Sequence, residues 1–465
     1  MKPQMTQIYT DKSEAAKTTD SVSPSDRCLS VFRASLSLVL LAVMCSLSHA
    51  QSTTGSGVSK PVAGRWRQVV EELSSPQFRS RQRAFDTLVE GGVEAAPAVV
   101  AAIQSADTET RWRALAILER LVDMRDRKAT RTVRSLLQSQ AADRDAANNA
   151  FEARRARLAL MHLQAAWIEQ TTAEIQQLGG LVTRGHPTLS DPDPGFHVEL
   201  SRNWTGGDER LDLLLDLTPV RWLNLEKSTV GDAGLVHVGQ LHGLRNLYLG
   251  ESQITGSGLS ELSQLKDLQW LSLKQLAIDD DDLGRLPELP QLLALGLDLT
   301  GVTDAGLEHL KKFPRLQTLW LDHTKITDAG VAQLKSSTGL RNLYLQGLQS
   351  PGPGLAQLAA LKELNYLSLK GAKLQADSLK HVAQLQQLET LGLDHTTVTD
   401  EQLVEVAQMQ NLKVLWLSKT EVTDEGLQQL KRLPALEKLY LHGARTTGEG
   451  ADTLRSIRPR LEIYR

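Results

Sequence analysis

The sequence predicts an α/β solenoid preceded by an all-α domain. From Val220 the chain repeats every 24 residues, ten times and without an insertion or deletion, to about Pro459. Within each unit the apolar residues first alternate and then recur at every third position, which predicts a strand followed by a helix. Between Ala98 and Leu178 there is neither glycine nor proline, and this absence favours helices throughout that stretch.

The unit that begins at Leu316 shows the repeat most clearly. Its first part, Leu-Gln-Thr-Leu-Trp-Leu, predicts a strand in which Leu319 and Leu321 point inward and Trp320 points outward. The Thr-Asp pair that follows is typical of a helix N-cap. A single unit cannot bury its apolar face alone, so we expect the units to stack around one continuous core.

These units resemble leucine-rich repeats of the 24-residue bacterial type, which carry helices on the convex side. The signature is Leu-x-x-Leu-x-Leu-x-x-Thr-x-Val-Thr-Asp-x-Gly-Leu-x-x-Leu, and it covers residues 220–459. The resemblance implies a leucine-rich-repeat horseshoe with a parallel concave sheet and convex helices. The Asn that usually follows the strand is replaced by a hydroxyl residue that can still bond the turn backbone, at Ser228, Ser252, Thr300, Thr324, Thr396 and Thr420.

The helical segment, residues 65–178, resembles HEAT-type helical repeats over part of its length. The resemblance rests on Arg81-x-x-Ala84-Phe85-x-x-Leu88-x-x-Gly91, a second apolar helix, and then Glu109-x-Arg111-x-Arg113-Ala114-x-x-x-Leu118. Such a HEAT-like domain offers either a second binding surface or a helical cap and spacer. We favour the cap and spacer.

The remaining boundaries follow from composition. Residues 179–195 are rich in Pro and Gly and predict a linker. Residues 196–219 predict a degenerate capping repeat, and residues 460–465 predict a C-terminal strand that closes the array.

The first fifty residues predict a signal peptide. Arg33 precedes an apolar run of about a dozen residues that ends in Ser48-His49-Ala50, so we expect cleavage after Ala50. An uncleaved membrane anchor is the alternative, although the run is short for a membrane span. Residues 51–64 then form a flexible leader. The sequence therefore predicts an exported protein of the periplasm, the cell envelope or the extracellular space.

Aromatic side chains are the strongest functional signal. Only 4% of the residues are aromatic, yet eight of the 14 Trp and Tyr residues fall at outward positions of the predicted strands. Exposed Trp and Tyr dominate binding hot spots, whereas strand propensity alone is met equally well by Val, Ile or Thr. We therefore predict a partner-binding concave face that carries Trp222, Tyr248, Trp270, Trp320, Tyr344, Tyr366, Trp416 and Tyr440.

Charged residues beside these aromatics complete the predicted surface, among them Asp322, His323, Asp394 and His395. The two Asp-His pairs lie three repeats apart, or ~14 Å, so they cannot share one metal. An open solenoid face also lacks the water-excluded pocket that catalysis needs. We therefore predict no catalytic residues, no metal and no cofactor.

Charge balance bears on the partner. The whole chain carries a formal net charge of −3, and neither sign dominates the predicted concave face. Both facts argue against nucleic acid and favour a protein or peptide partner. The sequence thus predicts an exported, non-enzymatic protein-binding module. A structural component of the cell envelope without a single partner, or a glycan-binding protein whose rings stack on sugars, are the alternatives, and membrane contact is expected only if the signal segment is not cleaved.

Overall fold

The computed structural model describes residues 64–123, 127–142, 150–187 and 194–465. The predicted signal peptide, residues 1–50, and all but the last residue of the leader, residues 51–64, lie outside this part. Among the described residues no helix has both the length and the apolar character needed to cross a membrane. The chain divides into two compact units, one ending at Leu163 and the other spanning Gln164–Arg465.

The first unit is built from helices. In chain order they are α1 (Gly64–Glu71), α2 (Phe78–Glu90), α3 (Gly92–Ala102), α4 (Thr108–Asp123), α5 (Arg127–Ala142) and α6 (Ala150–Gln177), which continues into the second unit. The start of α4 is fixed by Asp107, whose Oδ2 accepts the backbone amide of Thr110 at 2.7 Å. Their buried faces are lined by side chains such as Leu88, Val99, Ile117 and Leu118.

One kind of contact occurs twice in this unit. The Arg81 guanidinium donates to the carbonyls of Ser75 and Pro76, at 2.8 and 3.0 Å. The Arg111 guanidinium donates in the same way to Ser105 and Ala106, at 2.7 Å each. Each arginine ties its helix to the loop that precedes it, as expected for two copies of one helical repeat.

The described residues of the second unit form a single sheet of 13 strands whose spatial order is their order in the chain. The strands are β1 (Leu181–Arg184), β2 (Phe196–Glu199), β3 (Val220–Asn224), β4 (Asn246–Tyr248), β5 (Trp270–Ser272), β6 (Ala294–Gly296), β7 (Thr318–Trp320), β8 (Asn342–Tyr344), β9 (Tyr366–Ser368), β10 (Thr390–Gly392), β11 (Val414–Trp416), β12 (Lys438–Tyr440) and β13 (Glu462–Tyr464). From β3 onward neighbours pair in parallel, each residue with its counterpart in the next repeat, for example Leu319 with Leu343. The predicted α/β solenoid is therefore confirmed, and so is the helical region before it.

The structure of residues 179–195 differs from the linker that the sequence predicts. Residues Leu181–Arg184 form β1, which pairs antiparallel with β2 at the start of the sheet. Of the Pro and Gly residues that suggested a linker, Gly185 and Gly195 lie beside these two strands, and the backbone amide of Gly185 donates to the carbonyl of Gly195 at 3.0 Å. The end of α6 also belongs to this unit, because Ile175 is fully buried in the same core as Val198 and Leu200.

The convex side carries short helices. The α-helices are α7 (Asp232–Val238), α8 (Asp280–Arg285), α9 (Asp328–Gln333), α10 (Gly354–Gln357), α11 (Ser378–Val382), α12 (Asp400–Val406), α13 (Asp424–Leu430) and α14 (Gly448–Ile457). The 3-10 segments are Glu209–Asp216, Gly256–Gln264, Asp304–Lys312, Leu334–Ser336 and Leu358–Ala360. Thr327 caps α9, since its hydroxyl accepts the backbone amide of Ala329. This confirms the N-cap interpretation of the Thr-Asp pair.

The aspartate of each intact Thr-Asp pair reaches the next repeat. Asp304 accepts the backbone amide of Thr327 at 2.7 Å through Oδ1 and its hydroxyl at 2.5 Å through Oδ2. A Cβ atom at Gly330 would clash with the same Oδ1. The glycine of the Thr-Asp-x-Gly motif is thus explained by the aspartate that arrives from the preceding repeat.

Leucines fill the space between sheet and helices, and a row of hydroxyls lines the turns. Leu247, Leu271 and Leu295 on successive strands are completely buried. The Thr300 hydroxyl donates to the carbonyl of Leu297 at 2.7 Å, and Ser228, Ser252, Thr324, Thr396 and Thr420 make the equivalent bond. The predicted substitution of hydroxyls for Asn is therefore confirmed.

Candidate binding surface on the concave sheet

Strand alternation delivers the predicted aromatic residues to one face of the sheet. On β7, Leu319 is completely buried, whereas Trp320 beside it keeps part of its ring exposed. The same half-buried state holds for all eight aromatics of the predicted surface. A large apolar side chain that stays partly in water beside a fully packed core is available for contact with a partner.

The rings contact each other in a row across the concave face, which we call the ring row. The part of the ring row from β2 to β9 is its first stretch. Its ring centroids are 6.0 Å apart for His197–Trp222, 5.4 Å for Trp222–Tyr248, 6.0 Å for Tyr248–Trp270, 4.9 Å for Trp270–Trp320, 5.3 Å for Trp320–Tyr344 and 4.7 Å for Tyr344–Tyr366. Most of these pairs are tilted, with interplanar angles of 34° to 49°. Only Trp320 and Tyr344 are close to parallel, at 18°.

A second stretch of rings runs from β11 to β13. Trp416 and Tyr440 stack with centroids 4.0 Å apart and an angle of 11°. Tyr440 and Tyr464 stack at 4.7 Å and 9°. The ring faces that lie between Trp416, Tyr440 and Tyr464 are therefore covered by the neighbouring ring.

Between β2 and β13, two strands carry no aromatic residue, and the two differ in whether rings meet above them. On β6 the concave residues are Ala294 and Gly296, and the rings of Trp270 and Trp320 meet above that strand. On β10, which carries Gly392, no ring contact between Tyr366 and Trp416 is present in this fully described part of the sheet. The ring row is therefore divided at β10 into its first and second stretches.

Sequence reasoning missed both ends of the row. Tyr464 on β13 is paired with Tyr440 in register, and it is 45% exposed. It stands one full repeat after Tyr440, and that spacing was the signal that could have found it. His197 precedes Trp222 by more than a full repeat, because the register of β2 on β3 shifts after Phe196, so the period alone could not find it.

Carboxylates follow the strands at their C-terminal ends. Oδ1 of Asp298 accepts the backbone amide of Asp322 at 3.2 Å, and Oδ1 of Asp322 accepts that of Gln346 at 2.6 Å. Burial, and then the charge of neighbouring Asp322, raises the pKa of Asp298 to about 6. Burial also raises the pKa of Asp322. The centre of the surface thus holds two adjacent carboxyl groups that are poorly solvated.

The two predicted Asp-His pairs take equivalent places in their repeats. Oδ1 of Asp394 accepts the amide of Ser418 at 2.8 Å, so this aspartate, like Asp322, bonds the next repeat. His323 and His395 are exposed and occupy a left-handed turn position, with φ of 56° and 58°. Within the described residues no group of three or more His, Cys, Asp or Glu side chains is arranged to hold a metal ion.

The phenols beside this acidic centre are also desolvated. Burial raises the pKa of Tyr344, and burial together with the neighbouring Tyr344 raises that of Tyr366. Both tyrosines therefore remain neutral at physiological pH. They add hydrogen-bonding groups, but no charge, to the ring row.

Charge is distributed unevenly across the row. Arg221, Arg245 and Arg341 occupy the position at the N-terminal side of β3, β4 and β8, and no acidic residue takes this position from β3 to β8. At the opposite edge, Glu226, Asp298 and Asp322 follow β3, β6 and β7, and Lys274 and Lys370 take the same position after β5 and β9. The first stretch is therefore bordered by guanidinium groups along one edge, and by three carboxylates and two lysines along the other.

Comparison with a family sequence profile agrees with this architecture. The sequence profile of a family described as "Leucine-rich repeat region" matches residues 211–458. Among solved structures, the chain is similar to an internalin from Listeria monocytogenes, with 21% identity, 58% of this chain and 79% of that chain covered, and a TM-score of 0.42. It is also similar to a leucine-rich repeat protein from Leptospira interrogans, with 18% identity, 55% and 86% coverage and a TM-score of 0.32.

A third similar structure is a TDR receptor, with 18% identity, 54% of this chain and 44% of that chain covered, and a TM-score of 0.37. No curated protein matches the sequence.

Proposed function

The protein belongs to the leucine-rich repeat family, whose profile covers more than half of the chain, and we propose that it is an exported, non-enzymatic protein that binds a protein or peptide partner on its concave face. Solenoids of this kind are quasi-one-dimensional and offer an extended concave surface to a ligand. Among the alternatives, the ring row favours a dedicated contact surface over a purely structural envelope component.

One observation carries the proposal. The rings from Trp222 to Tyr440 are half-buried and nearly contiguous on one face of the sheet. Trp and Tyr give large contact areas, and they carry much of the binding energy where they are desolvated by a partner. Charges of both signs border the rings, which suits the polar rim of a protein interface and not a polyanion.

Export rests on the N-terminal sequence. The basic flank, the apolar run and the small-x-small end of residues 1–50 are the features of a secretory signal. Both cysteines, Cys28 and Cys45, precede the expected cleavage site, so the mature chain would carry no thiol to oxidise. Radiolabelled or tagged full chain should therefore appear shortened at Ala50 in an export assay.

The decisive experiment compares partner capture by a ring variant on the concave face and by a valine variant on the convex face. Full chain immobilised as bait is incubated with a native envelope extract, beside the double variant Trp320→Ala/Trp416→Ala. A specific partner should be recovered by the wild type and lost by the double variant, because both rings are replaced at the surface we propose. Circular dichroism and thermal unfolding establish that the variant is folded.

The chain offers a matched control on the convex helices. Val236 on α7 and Val404 on α12 hold equivalent repeat positions and are 48% and 38% exposed. The double variant Val236→Ala/Val404→Ala removes apolar surface from the other face and should capture the partner normally. Equal recovery by the wild type and the Trp320/Trp416 variant would contradict the proposed site.

A further inference from the structure

We infer that the concave face receives an amphipathic α-helix of the partner, laid along the first stretch of rings with its apolar stripe against them. This inference rests on the proposed function and specifies the kind of partner. The first stretch is the part of the row from His197 on β2 to Tyr366 on β9.

The spacing of the rings is the first argument. Consecutive centroids in the first stretch lie 4.7 to 6.0 Å apart. A helix presents one apolar position per turn, at ~5.4 Å, whereas an extended strand presents same-face side chains at ~6.7 Å. The strands themselves are ~4.8 Å apart, which is also closer to the helical value. Successive turns of a helix can therefore follow successive rings, while an extended segment falls out of step within a few repeats.

Ring orientation is the second argument. The tilted rings of the first stretch, such as the pair Tyr248–Trp270 at 34° and the pair Trp270–Trp320 at 48°, leave parts of their faces open. The stacked rings from Trp416 to Tyr464 cover one another. Side chains of a partner contact ring faces most favourably in offset or edge-to-face arrangements. The geometry therefore places the helix on the first stretch.

Charge is the third argument. An amphipathic helix has two polar flanks beside its apolar stripe. The guanidinium edge fits an acidic flank, which would compete with Glu363 for Arg341, 3.6 Å away and half exposed. At the opposite edge, the adjacent carboxylates Asp298 and Asp322 fit a basic flank. The seven strand spacings from β2 to β9 span ~34 Å, which corresponds to roughly 22 helical residues. The expected occupant is therefore a helix of about six turns with flanks of opposite charge.

Two displayed peptide libraries serve as probes. One is a helical scaffold of that length with Glu on one flank, Lys on the other and a randomised apolar stripe, and the second is a randomised extended library with proline at every third position. Both are selected on the full chain. We expect binders from the helical library, and we expect one proline at the centre of a selected helix to abolish binding.

Variants locate these binders on the rings. The double variant Trp270→Ser/Trp320→Ser should weaken the binding of a selected helix at least tenfold, whereas Val404→Ser, a control on the convex helix α12, should leave its affinity unchanged. Arg341→Glu should lower the affinity of the same helix about fivefold and leaves every ring in place. This variant keeps the test informative if the double variant does not fold.

The outcomes separate this inference from the proposed function. Binders that come only from the extended library, and that depend on Trp270 and Trp320, would refute the helical partner while supporting the concave face as the binding surface. Selected helices that bind all ring and Arg341 variants as tightly as the wild type would refute the inference, because their site would lie elsewhere.

Discussion

The carboxylate of Asp298 accepts the backbone amide of Asp322 at 3.2 Å, so two acidic residues of neighbouring repeats lie side by side at the edge of the concave rings. Four repeats further on, Asp394 accepts the amide of Ser418 at 2.8 Å in the same way. Both sites have a lysine at the equivalent position of the preceding repeat, Lys274 and Lys370 respectively. In the next repeat, Asp298 is followed by the acid Asp322, whereas Asp394 is followed by Ser418. A comparison of the two sites therefore isolates the effect of the acid pair.

Asp298→Asn should stabilise the protein at neutral pH. The pKa of Asp298 is raised from 3.8 to about 6 in the folded state by burial and by Asp322. The folded state therefore binds more protons than the unfolded state between these values, and the free energy of unfolding falls as pH rises from about 4 to above 6. Asparagine keeps the acceptor and removes the charge. We expect a gain of about 1–2 kcal/mol at pH 8 and none below pH 4, measured by urea unfolding across that range.

Asp394→Asn is the matched control, because it removes a carboxylate from the equivalent position without relieving an acid pair. It should not stabilise the protein at pH 8. An equal gain from both variants would show that the pairing with Asp322 is not the cause.

The repeat period predicted the fold because every unit repeats one set of local contacts. Leu319 and Trp320 could be assigned to opposite faces from alternation alone, and the structure agrees. The antiparallel strand β1 could not be predicted, because Leu181–Arg184 has no copy elsewhere in the array and its pairing with β2 is a tertiary contact. The raised pKa of Asp298 could not be predicted either, because it depends on burial between neighbouring repeats.

The same limit applies to the ring row. The positions of Trp270 and Trp320 were predictable, but their contact above β6 was not, since it depends on how both side chains lean over Ala294 and Gly296. Whether rings are tilted or stacked is set by side-chain rotamers. The sequence therefore predicted which residues face the concave side and left open how they divide into two stretches.

Asp304→Ala should destabilise the repeat array. Its carboxylate accepts both the backbone amide and the hydroxyl of Thr327, which joins two repeats and fixes the N-cap of the next helix. Loss of these charge-assisted bonds should cost about 1–2 kcal/mol. Thermal and urea unfolding of the full chain measure the change.

Asp281→Ala provides the comparison for this variant. Asp281 is an exposed acid in the first turn of α8, so its replacement removes the same charge from the same side of the array without breaking a bond between repeats. We expect a change within about 0.5 kcal/mol. A similar loss in both variants would mean that surface charge, and not the bond to Thr327, stabilises the array.

His162 gives the helical unit a stability that depends on pH. It pairs with Glu119, and the hydrogen bond to this carboxylate is the main reason that the pKa of His162 is raised above 6.5. The stabilisation is therefore complete below pH 6.5 and is lost as pH rises through the higher folded pKa. His162→Gln should reduce stability at pH 6 by less than about 1 kcal/mol and have little effect at pH 9. Hydrogen exchange of the α4 and α6 amides measures this effect in the wild type and the variant at both pH values. A difference in protection between the two proteins that is as large at pH 9 as at pH 6 would contradict the prediction.

We expect Arg455 to protect strand β13 against edge-to-edge association. Its Nη2 donates to the carbonyl of Ile463 on β13 at 3.0 Å, and its Nη1 is held by Asp452 at 2.7 Å. Open backbone groups on an edge strand invite pairing with another chain, and a charged side chain on that edge blocks it. Arg455→Ala should therefore raise the fraction of dimer or larger species in sedimentation velocity at tens of micromolar protein. Arg460→Ala removes an exposed arginine from the neighbouring turn and should remain like the wild type. If the two variants sediment alike, the Arg455 side chain does not protect the edge.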